Sequence, residues 1–217
     1  MSFPNEEPSE ELLMPVLHQM QISGNCYKVR LAARQLGVPL TLKEYGIFDG
    51  ETRKPAFLAK NPNGRVPLLE LDDGRCLPES DAILWYLAEG THLQPTDRWG
   101  RAEALAWMFF EQYSHEPYIA VARFWLSEAR KEDLEKRRDQ IPHWHANGNA
   151  ALAVMESHLN THDWFAGGRY SIADIALYGY THVARDGGFD LDAYPAVCRW
   201  LVRVRSEPGH IPLSEAW

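Results

Sequence analysis

The stretch PVLHQMQI (15–22) is short, apolar and strand-like, and it ends where NCYKVRLAARQLG (25–37) begins a helical rhythm. In that second stretch Val29, Ala32, Ala33 and Leu36 fall near one face, and Gly37 is a natural stop. VPLTLKEYGI (38–47) reads as a second strand, so the chain opens β-α-β, an order that favours a parallel pair. Residues 48–64 read as loop with a short helix around PAFLAK. In RVPLLELDDGRCLPES (65–80), VPLLEL and RCLPE flank Asp73-Gly74, a strong hairpin signal. A helix follows over 80–90, with Ser80 as its N-cap and Gly90 as its stop.

Beyond about residue 97 the pattern is helical only. Apolar and aromatic residues recur at helical spacing over 98–128, 132–159, 171–185 and 195–205. Pro117, Pro142, Gly148, Gly167-Gly168 and Gly187-Gly188 are the breakers. YSIADIALY (170–178) carries a capping box: Ser171 caps the first turn and Asp174 reaches back to the Ser171 amide, with Tyr170 and Ile175 at staple positions. That is a folding device, with no chemistry assigned to it. The expected organisation is α/β over 15–90, a linker near 87–97, and all-α over 97–217. MSFPNEEPSEELLM (1–14) has neither the basic start nor the apolar stretch of a signal peptide and reads as a flexible tail.

Composition narrows the classes. With 217 residues, 45% hydrophobic and 24% charged, the chain can bury a proper core, and no run approaches the length of a membrane span. Three widely spaced cysteines, Cys26, Cys76 and Cys198, argue for reduced thiols and a cytoplasmic location. A formal charge of −8 disfavours nucleic acid as a partner, and an anionic ligand would need a locally positive pocket.

Four places carry candidate chemistry. QISGNCYKVR (21–30) puts Ser23, Asn25, Cys26 and two cations where a strand hands over to a helix. The helix N-terminus stabilises an anion there, thiolate included, although a cap and a buried cysteine are the plain alternatives. Pro67, opening a strand, leaves the backbone of Val66 free to pair with a peptide-like ligand; edge protection is the alternative. Such a proline is tolerated as a strand's first residue or as a cis bond at a tight turn. Glu79-Ser80 suit the ammonium and carboxylate of an amino-acid head. Within WMFFEQYSHEPYIAVARFW (107–125), Tyr113, His115, Tyr118 and Arg123 are the members polar enough to face a cleft. HWH (143–145), His158 and His162 lack partners at metal-ligand spacing, so no metal is expected.

Together these features resemble the soluble glutathione S-transferases over about residues 15 to 213. NPNGRVPLLELDDGRCLPESDAILWYLAE looks like the family's cis-proline and Glu/Gln-Ser segment, YSIADIALYGY like its C-terminal capping box, and SGNCYKVRLAARQLG like the serine-type first helix of zeta-like and theta-like classes. The resemblance implies a thioredoxin-like N-terminal domain, an all-helical C-terminal domain, and a cytoplasmic homodimer. It implies glutathione as co-substrate, conjugated in detoxification to a small hydrophobic electrophile held by the helical half. Carried over, Val66 beside Pro67 pairs with the cysteinyl backbone, Glu79 and Ser80 hold the γ-glutamyl end, and Thr52 and Arg53 hold the glycine carboxylate. Ser23 takes the first position of the C-x-x-C of thioredoxin-like folds and hydrogen-bonds the sulfur, with Asn25 sharing the task and Cys26 in the more buried second position. SGN stands where zeta-like enzymes typically carry SSC, which argues against isomerase activity on maleyl compounds. The tyrosine of the alpha, mu and pi classes is absent, and Tyr27 lies past the turn. The alternatives are a glutathione-dependent peroxidase or disulfide reductase using the same site, and a transferase-like binding protein without catalysis.

Overall fold

The computed structural model describes residues 14–46, 49–128 and 131–215; all but the last residue of the expected N-terminal tail lies outside them. Strand β1 (Val16–Gln19) leads into helix α1 (Gly24–Leu36) and back to β2 (Thr41–Glu44), which pairs parallel with β1. A 3-10 turn (Glu51–Arg53) and the short α2 (Pro55–Leu58) cross to β3 (Leu68–Glu70), antiparallel to β1, and the hairpin partner β4 (Cys76–Pro78) completes the sheet order β2-β1-β3-β4. Helix α3 (Ser80–Ala88) follows. This is a thioredoxin-like half, and it is followed by an all-helical one: α4 (Arg98–Phe110), α5 (Glu116–Arg123), α6 (Lys131–Glu135), α7 (Ile141–Leu159), α8 (Ile172–Thr181) and α9 (Pro195–Arg205).

The segments match the hydrophobic pattern closely, and the Val66-Pro67 bond is cis as expected. Gly37 closes α1 in the left-handed region at φ 67°, and Gly74 turns the β3–β4 hairpin at φ 82°. Three local expectations are corrected. Ser80 is the first helical residue of α3; the cap is Glu79, whose backbone sits at φ 71° and whose side chain caps nothing. Over 132–159 the expected break near Pro142 is found between α6 and α7, with Pro142 in the first turn of α7 where its missing N–H costs nothing, but Gly148, also expected to break the helix, lies inside an uninterrupted α7. Pro117 does not interrupt the helical run that starts at Arg98. The chain widens into a π turn over Glu111–His115, where the Glu116 amide bonds the Glu111 carbonyl five residues back. That widening absorbs the proline, and it turns Glu111 and His115 inward, both fully buried.

Helix α1 is the shared element. Val29 and Ala33 pack with Leu17, Leu40, Leu69 and Ile83 against the sheet. Tyr27, Leu31 and Ala32 join the large core of the helical half with Ile175, Tyr178 and Trp200. α1 meets α8 so closely that a Cβ on Gly24 would lie 2.4 Å from the Gly179 carbonyl oxygen and 2.8 Å from the Tyr180 ring. The α8 start is held by the expected capping box. Asp174 accepts from the Ser171 amide at 3.0 Å and also from the Trp200 indole at 2.9 Å, which ties α9 to it. Burial pushes the Asp174 carboxyl up to about 7.

Candidate active site

Between the two halves lies a cavity of about 320 Å³. Its floor is the turn after β1 and the start of α1: Met20, Ile22, Ser23 and Asn25. One side is the stretch before β3, with Gly64, Arg65 and Val66, together with Thr52 and Arg53 of the 3-10 turn. The helical half closes it with Ala120, Arg123, Phe124, Glu128 and Tyr180.

Ser23 caps α1 from an extended backbone, accepting the Cys26 amide at 3.3 Å. Its hydroxyl therefore stands at the positive end of the helix dipole, on the cavity surface. Cys26 is turned the other way. It is fully buried, its sulfur accepts the Met20 amide at 3.4 Å, and burial pushes its thiol up to about 11. Tyr27 points into the core and donates to the Ile211 carbonyl at 2.6 Å. The β3 ladder starts at Leu68, so Val66 lies outside it, beside the buried Pro67. Thr52 is buried, and Arg53 is exposed, with its guanidinium donating to the Asn63 carbonyl at 2.8 Å.

Neither Glu79 nor Ser80 lines the cavity, and only Ser80 is linked to it, through Asn25. Ser80 Oγ donates to Asn25 Oδ1 at 3.4 Å, and Asn25 Nδ2 donates to Glu116 of α5 at 3.2 Å. Glu79 is exposed in a backbone region that costs a non-glycine residue about 1–3 kcal/mol and concentrates at functional sites.

The two cations of the opening motif do not serve the cavity. Arg30 is buried and donates to the Gln19 side chain and to the Gln21 and Leu213 carbonyls. Lys28 is buried 2.8 Å from Glu111, 3.4 Å from Asp81 and 3.4 Å from Ser80 Oγ. One ammonium faces two carboxyls there. Burial pushes both acids up, Glu111 to about 8, while the Asp81 and Glu111 charges hold the Lys28 ammonium protonated. The positive lining comes instead from Arg53, Arg65 and Arg123. Of the four aromatic-segment residues expected near a cleft, only Arg123 lines this one. It donates to the Ile22 carbonyl at 3.0 Å and pairs with Glu128 and Asp186. His115 is buried against Thr181 at 2.9 Å, Tyr113 is exposed, and Tyr118 lines a separate groove. Sequence reasoning missed Arg65, Phe124, Glu128 and Tyr180. Arg65, Phe124 and Tyr180 each lie inside a stretch already singled out, and Glu128 lies in none.

A thioredoxin-like half with a cis-proline beside an open backbone edge, a helix N-terminus carrying a hydroxyl, and a helical half closing over both define the glutathione-transferase class of fold. Residues 22–89 match the family model for the glutathione S-transferase N-terminal domain, and residues 106–208 match that for the C-terminal domain. The chain belongs to the glutathione S-transferase family. It is 54% identical, with a TM-score of 0.90, to the structure of a possible glutathione S-transferase from Rhodopseudomonas palustris, over 93% of this chain and 90% of that one. It is 34% identical over 201 residues to a maleylacetoacetate isomerase from Pseudomonas aeruginosa, covering 86% of this chain and 89% of the relative. A glutathione transferase from Burkholderia graminis, solved with two glutathione molecules bound per subunit, is 28% identical with a TM-score of 0.77, over 93% of this chain and 88% of that one.

Proposed function

We propose that the protein is a glutathione transferase of serine type, conjugating the glutathione thiolate to a small hydrophobic electrophile. The observation that carries this reading is the meeting of Ser23, Val66 and Arg53 in one cavity that the helical half closes. Glutathione lies extended along the edge before β3, its cysteinyl backbone paired with Val66 next to Pro67. Its γ-glutamyl end meets Glu79, which faces the ammonium, and Ser80 with the free amides of the α3 start, which face the carboxylate. Its glycine carboxylate meets Thr52 and Arg53, with Arg65 adding positive charge.

The sulfur then reaches the α1 N-terminus. Ser23 donates to it and favours the thiolate, because a hydrogen bond to the charged form lowers the thiol's pKa. Asn25 shares that task through the second proton of its amide, while its first goes to Glu116 and its oxygen accepts from Ser80, which holds the α1 start in place. The thiolate attacks the electrophilic carbon, a carbon–sulfur bond forms, and the leaving group departs with its electron pair. Phe124, Ala120 and the Tyr180 ring give the electrophile an apolar surface, with Arg123 and Glu128 at its polar border. The burial of Cys26 favours this route over thiol transfer through a protein cysteine.

A cytoplasmic, homodimeric enzyme of detoxification is the setting that fits. Tyr86 of α3, Trp99 and Phe109 of α4 and Tyr113 of the π turn each stand exposed and are apolar surface that a second copy would cover; sedimentation as a monomer would contradict the dimer. No described helix is long and apolar enough to cross a membrane.

Binding is tested at Ser80. Ser80→Ala is expected to weaken glutathione by about 1–3 kcal/mol, the cost of a hydrogen bond to a charged group left unmade. Ser80 is not the α3 cap, so the variant should keep its fold. Titration calorimetry showing unchanged affinity in the folded variant would remove Glu79-Ser80 as the γ-glutamyl site.

A further inference from the structure

We propose that Lys28 is a positioning residue for the γ-glutamyl end of glutathione: its buried ammonium donates to Ser80 Oγ and so leaves the Ser80 proton for the ligand's carboxylate. The inference rests on the reading of Ser80 as part of the γ-glutamyl site.

Lys28 belongs to α1, yet its head lies between α3 and the π turn of the helical half. The residue is fully buried. Its stem runs against Gly179 of α8, where an added Cβ would lie 2.6 Å from Lys28 Cγ and 2.9 Å from Lys28 Cε. Gly179 therefore leaves the room that the stem needs. An ammonium has three protons to donate and accepts none. Three acceptors stand within its reach: Glu111 of the π turn at 2.8 Å, and Asp81 and Ser80 Oγ of the α3 start at 3.4 Å each. The reach of Lys28 to Ser80, in the thioredoxin-like half, is thus set by Glu111 and Gly179 of the helical half.

A serine hydroxyl has two acceptor lone pairs and one proton. One lone pair of Ser80 takes a Lys28 proton, so the Ser80 O–H is directed elsewhere, and it donates to Asn25 Oδ1 at 3.4 Å. Ser80 is buried and does not line the cavity, but Asn25 does. The Ser80 proton is therefore turned to the cavity side. Its bond to Asn25 is long for an O–H donor, and a carboxylate arriving there draws the same proton more strongly. Asn25 keeps its place through Glu116, to which its amide donates at 3.2 Å. Without the ammonium, Ser80 can turn its proton to the neighbouring Asp81 and meet the ligand's carboxylate with a lone pair, which repels it.

Lys28→Met strands two buried acids, so the test makes it on Glu111→Leu, in which the ammonium still has Asp81 and Ser80. Where folding requires it, Asp81→Asn is added to both members of the comparison. Titration calorimetry measures glutathione and cysteinylglycine, which lacks the γ-glutamyl group, on Glu111→Leu and on Lys28→Met/Glu111→Leu, each with Ser80 and with Ser80→Ala. The expected result is roughly three- to tenfold weaker glutathione on adding Lys28→Met, the size of one hydrogen bond, with cysteinylglycine unchanged. In the Ser80→Ala background the same step should add nothing. Equal weakening of both ligands would overturn the positioning role, because Lys28 would then only support the fold around the site. The same loss with and without the Ser80 hydroxyl would overturn it too, since Lys28 would not act through Ser80. Unchanged glutathione on adding Lys28→Met, alongside an impaired Ser80→Ala, would overturn the inference and leave the Ser80 reading standing. A silent Ser80→Ala would overturn the Ser80 reading and this inference with it.

Discussion

Ser23→Ala is expected to lower conjugation at neutral pH by roughly ten- to a hundredfold, the rate equivalent of losing a hydrogen bond to a charged group worth about 1.5–3 kcal/mol. The loss should shrink as pH rises, because the thiol then ionises without help. Ser23 also caps α1, so the variant should lose about 1 kcal/mol of stability, and rates must be compared in folded protein. Ser23→Thr retains both the hydroxyl and the cap and should recover most of the rate. Cys26→Ala should change the rate least, since the thiol is buried away from the cavity. A nearly silent Ser23→Ala with an inactive Cys26→Ala would reverse the assignment and make the protein a thiol-transferring enzyme. Rate–pH profiles of the three variants decide between these outcomes.

Lys28→Met is expected to give the largest loss of stability, about 3–5 kcal/mol, because it strands two buried carboxyls without their cation. Adding Glu111→Leu should return much of that, since one of the two buried acids is then gone. The effect has a pH signature. Glu111 is held up at about 8 in the folded protein against an ordinary 4.5, so the folded state keeps a proton that the unfolded chain gives up. Stability from this group is full below about 4.5 and is lost as pH rises towards 8. Without Lys28 the carboxyls repel more strongly, so the deficit of Lys28→Met should widen across that window. His115 works in the opposite direction. Burial holds its imidazole down at about 3 against an ordinary 6.5, so its contribution is lost as pH falls through that interval. Chemical denaturation of both variants at several pH values reads these slopes, and a deficit that narrows with rising pH would contradict the cluster's charge assignment.

The contrast between Lys28 and Ser23 marks how far a sequence could be read. Ser23, Val66, Pro67 and Glu79-Ser80 were legible because each carries a local backbone signature: a cap, a proline at a strand start, a helix opening. The hairpin at Asp73-Gly74 and the capping box at Ser171 were legible for the same reason. For Lys28 and Arg30 the sequence offers only proximity to Ser23, which says nothing about which side of a helix a cation leaves from. α1 is packed on several sides, so Lys28 finds its partners far along the chain, at Asp81 and Glu111, and Arg30 finds its own at Gln19, Gln21 and the distant Leu213 carbonyl. The π turn at Glu111–His115 was hidden because a proline inside a helical pattern predicts a break more readily than a widened turn. Tyr180 escaped for a further reason. Its segment had a sufficient folding explanation, and its part in the site depends on α8 lying against Gly24, a contact no local pattern encodes.

The account's central claim is that glutathione lies across this cavity with its sulfur at the α1 N-terminus, and a crystal structure with glutathione bound tests it most directly. The predicted result is a sulfur within hydrogen-bonding distance of Ser23 Oγ, the cysteinyl backbone paired with Val66, and the γ-glutamyl end at Glu79 and Ser80. A glutathione bound elsewhere, or joined to Cys26 through a mixed disulfide, would contradict it.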